Sequence, residues 1–416
     1  MNLLLNYKVL NQKSKINISG SKSETNRLLL LQALYPNIVI ENASNSDDSE
    51  VMVSALATLN QQPSTNFQLI DIHHAGTAMR FLTAFFATQE NKTVILTGSP
   101  RMKERPIKIL VDALKQLGAT IEYLENDGFP PIKITGIQLK ISKVSLPANV
   151  SSQYISALLL IAPSLQNGLE LTLTGEITSI PYINMTLKLL QEIGVETSFS
   201  KNVIVVKPCT QPPAHKTIIV ESDWSSASYF YSIVALSKVG TQIELSNFKE
   251  NSLQGDAVLA TIYQQMGVET LFDNGKITLE KNNNPVNHRL ILDLNSAPDI
   301  AQTIAVTAFG LGIGCQLTGL HTLKIKETDR LEALQIELSK LGAIISVTND
   351  SLQLQPSEII HSNQTISTYN DHRMAMAFAP VALKTQINIQ NAEVVSKSYP
   401  NFWNDLKLLG FEISDN

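Results

Sequence analysis

The chain has 416 residues, too many for one compact core, so two domains are expected. A hydrophobic share of 44% and a charged share of 17% describe an ordinary globular protein, and no run is long and apolar enough to span a membrane. The formal net charge of -5 argues against nucleic acid as a partner, so any cations serving an anionic ligand must be gathered locally.

The opening stretch, MNLLLNYKVLNQKSK, is too short and too interrupted for a secretory apolar region. Beyond it, one arrangement recurs: an amphipathic helix, a glycine, a strand, a polar turn and a second strand. Leu110 to Leu117 leads to Gly118, then ATIEYL and IKITG. Leu187 to Ile193 leads to Gly194, then VETSFS and VIVVK. Leu259 to Met266 leads to Gly267, then VETLF and KITLE; Leu331 to Leu341 leads to Gly342, then AIISV and SLQLQ. Leu406 to Leu409 leads to Gly410 and FEI. These glycines stand about 70 residues apart, each where a helix end needs the left-handed conformation. A weaker copy, Val51 to Leu59 followed by FQLIDI, precedes them. The pattern predicts about six α/β units, hence two lobes of three.

Chemistry-bearing residues fall between these units. Ile16 to Arg27 (INISGSKSETNR) reads as strand, turn and helix. Ser21 and Glu24 fit a capping box, which puts Lys22 and Ser23 at the positive helix end. A Walker A loop would need an upstream Gly, but positions 16 and 17 are Ile and Asn. As a plain cap, the segment leaves Lys22 and Arg27 as surface charges. In His73 to Arg80 (HHAGTAMR), Gly76 allows close backbone approach to a ligand, or merely tight packing. Pro100 to Ile107 (PRMKERPI) predicts Pro106 at the first helical position, with Arg105 at the helix mouth. Arg101 and Lys103 read better as members of a solvated charged loop.

VSSQ at Val150 to Gln153 and SIPY at Ser179 to Tyr182 are polar helix starts. ESDWSSASYF, Glu221 to Phe230, is the counterpart of the Ser21 segment one half-chain later. In NSAPDI, Asp299 sits just inside an apolar helix, as a dipole-favoured carboxylate or a base. Lys326-Glu327-Thr328-Asp329-Arg330 packs two cations and two carboxylates into five residues. On a helix, Lys326, Glu327 and Arg330 can share a face, which alone could be a self-paired solvated surface. Arg373 begins an apolar helix in NDHRMAM, and Lys397 lies in the turn SKSYPNFW. Cys209 and Cys315 have no metal-ligand spacing and read as buried free thiols of a reducing cytosol.

In order and spacing, GSKSETNR, AGTAMR, RMKERPI, VSSQ, ESDWSSASYF, PDIAQT, KETDR, NDHRMAM and KSYPNFW resemble the 5-enolpyruvylshikimate-3-phosphate (EPSP) synthase family of enolpyruvyl transferases. The resemblance runs from about residue 16 to 403. It implies an α/β fold of two lobes, each of three βαβαββ units. One domain would be residues 1–20 plus 221–416 and the other 21–220, with the active site in the cleft between them. It also implies transfer of the enolpyruvyl group of phosphoenolpyruvate to the 5-hydroxyl of shikimate 3-phosphate, through a tetrahedral intermediate, on the way to chorismate. Carried over by motif, phosphoenolpyruvate would meet Lys22, Gly76, Arg105, Gln153, Arg330, Arg373 and Lys397. Shikimate 3-phosphate would meet Lys22, Ser23, Arg27, Ser151, Ser152, Gln153, Ser179, Tyr182, Asp299 and Lys326. Asp299 would take the hydroxyl proton and Glu327 would protonate the methylene carbon, with Lys22 part of the catalytic set.

The resemblance calls for no metal or organic cofactor. It implies a cytoplasmic monomer, inhibited by glyphosate, that closes over its substrates. The chain departs from the family pattern at His74, Phe81, Ser222, Trp224 and Thr322; His74 and Phe81 bear on phosphoenolpyruvate affinity and glyphosate response. The competing readings are a UDP-N-acetylglucosamine enolpyruvyl transferase, whose loop typically carries a reactive Cys that PRMKERP lacks, and a non-catalytic phosphate-ligand binding paralogue.

Overall fold

Each predicted helix-ending glycine takes the left-handed conformation: Gly118 (φ 101°), Gly194 (89°), Gly267 (83°), Gly342 (101°) and Gly410 (101°). At Gly118 and Gly194 an added Cβ would meet nothing within 4 Å, so backbone conformation rather than crowding calls for glycine. The computed structural model describes residues 1–7, 13–58, 67–148, 151–177, 180–211, 213–285 and 287–416.

After four of these glycines the chain forms an antiparallel hairpin. The pairs are Thr120–Tyr123 with Ile132–Thr135, Thr197–Ser200 with Val203–Val206, Val268–Asp273 with Lys276–Lys281, and Ile345–Val347 with Leu352–Leu354. The strand after Gly410, Phe411–Asp415, pairs instead with Leu3–Tyr7 from the other end of the chain. Five four-stranded sheets share one order, in which a parallel pair is extended by two antiparallel strands. In one of them Gln68–Asp71 runs parallel to Thr93–Thr97, which is antiparallel to Ile132–Thr135, which is antiparallel to Thr120–Tyr123. Among the described residues the sixth sheet has two strands, Ile38–Glu41 parallel to Lys216–Ile219. The weaker sequence copy maps here: its helix is Asp47–Ala57, while Gln68–Asp71 is drawn into the next sheet.

The chain divides into two compact units, Met1–Ser21 with Glu221–Asn416, and Lys22–Val220, with three sheets in each. In the first unit the two passages of chain are tied together. Gly20 bridges Ser222, Ser21 N–H donates to the Glu221 carbonyl at 2.7 Å, and Ser222 Oγ donates to the Ile18 carbonyl at 2.6 Å.

In the first unit, helices Trp224–Leu236, Ala301–Gly310 and His372–Phe378 pack on one another. Ala301–Gly310 is buried at every position, which matches its all-round apolar sequence. Its hydroxyls find partners in neighbouring elements: Thr303 with Ser228 at 3.0 Å, and Thr307 with Ser232 at 2.7 Å and Tyr263 at 2.9 Å. In the second unit, Lys22–Leu34, Gly76–Ala87 and Ser152–Ile161 form the equivalent buried trio. In both units the starts of these helices carry the residues singled out in the sequence.

Candidate active site

In the first unit, Arg330 is the hub. It opens the helix Arg330–Lys340, is 2% exposed, and makes four hydrogen bonds to three carboxylates. Nε reaches Asp371 Oδ2 at 2.7 Å, and Nη1 reaches Asp299 Oδ1 at 2.9 Å. Nη2 reaches Glu327 Oε2 at 2.8 Å and Asp371 Oδ1 at 3.4 Å. A guanidinium has five N–H donors, so one on Nη1 is left over. Burial works against this cation, but Asp371, Glu327 and Asp299 hold it firmly charged.

Asp299 lies in the turn Pro298–Ile300 that leads into Ala301–Gly310. Besides Arg330 it has Lys326 Nζ at 3.3 Å and Arg373 Nη2 at 3.4 Å. Burial pushes its carboxyl up, yet Arg373, Lys326 and Arg330 together hold it well below the usual carboxylate range. Burial pushes the Lys326 ammonium down, with Asp299 opposing. Lys397, 5% exposed at the end of the turn Ala392–Lys397, donates to Glu327 Oε1 at 2.7 Å. Both oxygens of Glu327 therefore face cations. Asp371 also caps His372–Phe378 by accepting from Arg373 N–H at 2.9 Å.

In the second unit, Lys22 Nζ lies 3.1 Å from Oδ2 of Asp48, which is 3% exposed. Gly76 begins its helix, and a Cβ there would stand 2.7 Å from Arg105 Nη1, so the guanidinium rests against bare backbone. Arg105 Nε is buried without a hydrogen-bond partner. Arg80 braces this region, donating to the Gly76 carbonyl at 3.1 Å and the Pro106 carbonyl at 3.0 Å. Gln153 Nε2 donates to Thr77 Oγ1 at 3.2 Å, and Ser151 Oγ caps the next helix by accepting from Gln153 N–H at 3.3 Å. Ser23 is half-buried and Ser152 buried.

Arg27 is enclosed rather than open. It donates to Thr186 Oγ1 at 2.8 Å, the Ser23 carbonyl at 2.7 Å, Ser156 Oγ at 3.0 Å and the Tyr182 carbonyl at 3.4 Å. Its Cζ lies 5.4 Å from the Phe81 ring centre and 5.9 Å from that of Tyr182. Burial pulls the guanidinium down to about 10, against Tyr182 and Glu24. Phe81 thus bears on Arg27, while His74 is exposed.

The structure corrects three local expectations. Lys326 to Asp329 do not continue the helix, because Asp329 caps it, accepting from Leu331 N–H at 3.1 Å and Glu332 N–H at 3.2 Å. Glu327 and Arg330 meet across this bend, not along a helix face. Pro106 is not a helix start: Pro100 opens the short helix Pro100–Lys103, and the next begins at Lys108, leaving Arg105 in the connection. Cys315 is buried, with its thiol pushed up to about 12 by burial, but Cys209 is only half-buried and donates to the Gln211 carbonyl. Ser179 lies outside the described residues, as does Val150.

Sequence reasoning missed the partners that hold these cations: Asp48 for Lys22, Asp371 for Arg330 and, for Arg373, Ser225, which accepts from Nη2 at 3.3 Å. Asp371 lies inside the flagged stretch NDHRMAM, where only Arg373 was singled out, and its helix-start position was the available signal.

Against known families, residues 7–406 match the model described as EPSP synthase (3-phosphoshikimate 1-carboxyvinyltransferase). A 3-phosphoshikimate 1-carboxyvinyltransferase of Bacteroides fragilis is 48% identical over 406 residues, covering 96% of each chain. One from Histophilus somni is 36% identical, covering 94% of this chain and 95% of its own. Among solved structures, an EPSP synthase from Acinetobacter baumannii covers 100% of both chains with a TM-score of 0.79 at 20% identity, a likeness of fold.

Proposed function

The chain belongs to the EPSP synthase family, and we propose that Asp299 and Glu327, with the cations around them, carry out that family's reaction here. The reaction transfers the enolpyruvyl group of phosphoenolpyruvate to the 5-hydroxyl of shikimate 3-phosphate and releases phosphate. The observation that supports the residue roles best is the single guanidinium shared by two carboxylates, Arg330 to Asp299 at 2.9 Å and to Glu327 at 2.8 Å. An addition–elimination needs a base for the hydroxyl and an acid for the methylene carbon, held in fixed relation.

Asp299 is kept ionised by its three cations, so it has a lone pair open to the hydroxyl proton, and it gains basicity as the anionic substrates draw those cations away. Glu327 delivers a proton to the methylene carbon, and a tetrahedral phosphate ester forms. Phosphate then leaves as the proton is withdrawn. Both substrates are polyanions. As they engage Lys397, Arg373 and the remaining Arg330 donor, the cations have less charge to spend on Glu327, which favours its protonated form.

Lys22, Gly76, Arg105 and Gln153 join Arg330, Arg373 and Lys397 in holding phosphoenolpyruvate. Ser23, Arg27, Ser151, Ser152, Ser179, Tyr182 and Lys326 join Lys22, Gln153 and Asp299 on shikimate 3-phosphate. Arg27 acts there chiefly by fixing Tyr182 and Ser156. The proposal extends to a cytoplasmic monomer inhibited by glyphosate, an anion such a cationic set would also hold. Among the described residues no helix is long and apolar enough to cross a membrane.

The test is phosphate release from phosphoenolpyruvate plus shikimate 3-phosphate, with UDP-N-acetylglucosamine as the competing acceptor. Release that depends on shikimate 3-phosphate supports the proposal; release only with the nucleotide sugar overturns it. The nucleotide-sugar reading is disfavoured by the RMKERPI loop, which carries no thiol.

A further inference from the structure

Asp256 is a carboxylate that the chemistry above leaves unused. It lies in the turn Gly255–Val258 and is 4% exposed. Its Oδ1 is buried without a hydrogen-bond partner, while Oδ2 accepts from Ser225 Oγ in the first turn of Trp224–Leu236. The same Ser225 oxygen accepts from Arg373 Nη2 at 3.3 Å. Arg373 is also held by Asp299, whose backbone carbonyl accepts from Nη1 at 3.1 Å and whose Oδ2 lies 3.4 Å from the same Nη2. The charged groups bearing on Asp256 are Asp299, Arg373 and Asp223.

A serine hydroxyl has one proton. With that proton committed to Asp256, Ser225 can present only lone pairs to Arg373. A buried carboxylate with one oxygen unsatisfied is costly to keep, and orienting Ser225 gives it a use. We propose that Asp256 is a positioning residue, which through the Ser225 hydroxyl fixes the Arg373 guanidinium for phosphoenolpyruvate. The inference rests on the functional reading above. Four elements distant in sequence build the arrangement: the turns of Asp256 and Asp299 and the helix starts of Ser225 and Arg373.

The test compares Ser225→Ala, Asp256→Asn and the double variant with the wild type in steady-state turnover, with shikimate 3-phosphate affinity measured separately. Ser225→Ala raises the KM for phosphoenolpyruvate about tenfold, the effect of one hydrogen bond to a charged group. Its kcat and its affinity for shikimate 3-phosphate change less than about twofold. Asp256→Asn, which keeps an acceptor for the hydroxyl, shows a smaller rise in KM, and the double variant is no worse than Ser225→Ala alone. If Asp256 only anchored its turn, the variants would lose stability and weaken both substrates alike, which overturns the proposal. An unchanged KM for phosphoenolpyruvate in an active enzyme overturns this inference alone. A wild type that turns over neither substrate overturns the functional reading with it. Should Asp256→Asn not fold, Ser225→Ala carries the same comparison.

Discussion

Lys397 donates a 2.7 Å hydrogen bond to Glu327, a carboxylate whose other oxygen receives Arg330 at 2.8 Å. The proposed acid is thus ion-paired on both oxygens before any substrate is present. Glu327→Gln keeps the shape and removes the transferable proton. Turnover falls by at least about a hundredfold, while phosphoenolpyruvate binds as well as before or better. Asp299→Asn gives a similar loss with binding mostly kept. Near-normal turnover in either variant removes that residue from its role; single-turnover kinetics with separate binding measurements checks both.

Gly76→Ala puts a methyl where Arg105 Nη1 now lies, 2.7 Å from the Cβ position. The guanidinium is the far end of a flexible side chain, so it moves and the fold survives. Gly76 is the first residue of its helix, so alanine gains only a fraction of the roughly 1 kcal/mol it holds over glycine in a helix interior. Thermal stability therefore holds or rises slightly, while the KM for phosphoenolpyruvate increases about tenfold through loss of an aimed charge-assisted bond. Steady-state kinetics with a melting curve separates the two effects.

Asp256 gives a pH signature. Burial and the neighbouring Asp299 push its carboxyl up from 3.8 to about 6, against Arg373 and Ser225. A carboxyl raised in the folded state keeps its proton while the unfolded chain releases it. Its stabilising contribution is full below the unfolded value and is lost as pH rises to the folded one. Between about pH 4 and 6 the wild type loses stability relative to Asp256→Asn, by an amount on the order of 3 kcal/mol, and the difference is flat above pH 7. Urea denaturation of both proteins across pH 4 to 8 reads this difference; no change across the window contradicts it.

Trp224 stands where the family pattern has small residues, and it is fully buried. Its ring meets Phe248 edge-on at 5.0 Å, and its Nε1 donates to Glu221 Oε1 at 2.7 Å. Trp224→Ala leaves a large cavity and a buried carboxylate short of one donor. It destabilises the first unit by about 3 to 5 kcal/mol. Chemical denaturation measures this directly.

The sequence made the repeat legible because its signals are local. Helix periodicity, a glycine and a short hairpin turn all fall within some thirty residues of chain, about the size of one supersecondary unit. Pairings between distant segments were not legible. Lys216–Ile219 joins Ile38–Glu41, and the two ends of the chain share a sheet through Leu3–Tyr7 and Phe411–Asp415. The same division runs through the site. Charged residues at helix starts stand out, but Asp48 for Lys22, Asp371 for Arg330 and Asp256 for Ser225 come from other segments. Each of these carboxylates reads locally as an ordinary helix-start residue. The KETDR stretch misled for the reverse reason: its spacing suits a helix face, but Asp329 spends its side chain on the cap.

The central claim is that Arg330 holds a base and an acid for one reaction. The most direct measurement follows phosphate release from phosphoenolpyruvate, with shikimate 3-phosphate as acceptor, in the wild type, Asp299→Asn and Glu327→Gln. The account predicts rapid release by the wild type and at least about a hundredfold slower release by each variant, with both substrates still bound. Equal rates in all three proteins, or wild-type release that needs no shikimate 3-phosphate, would contradict it.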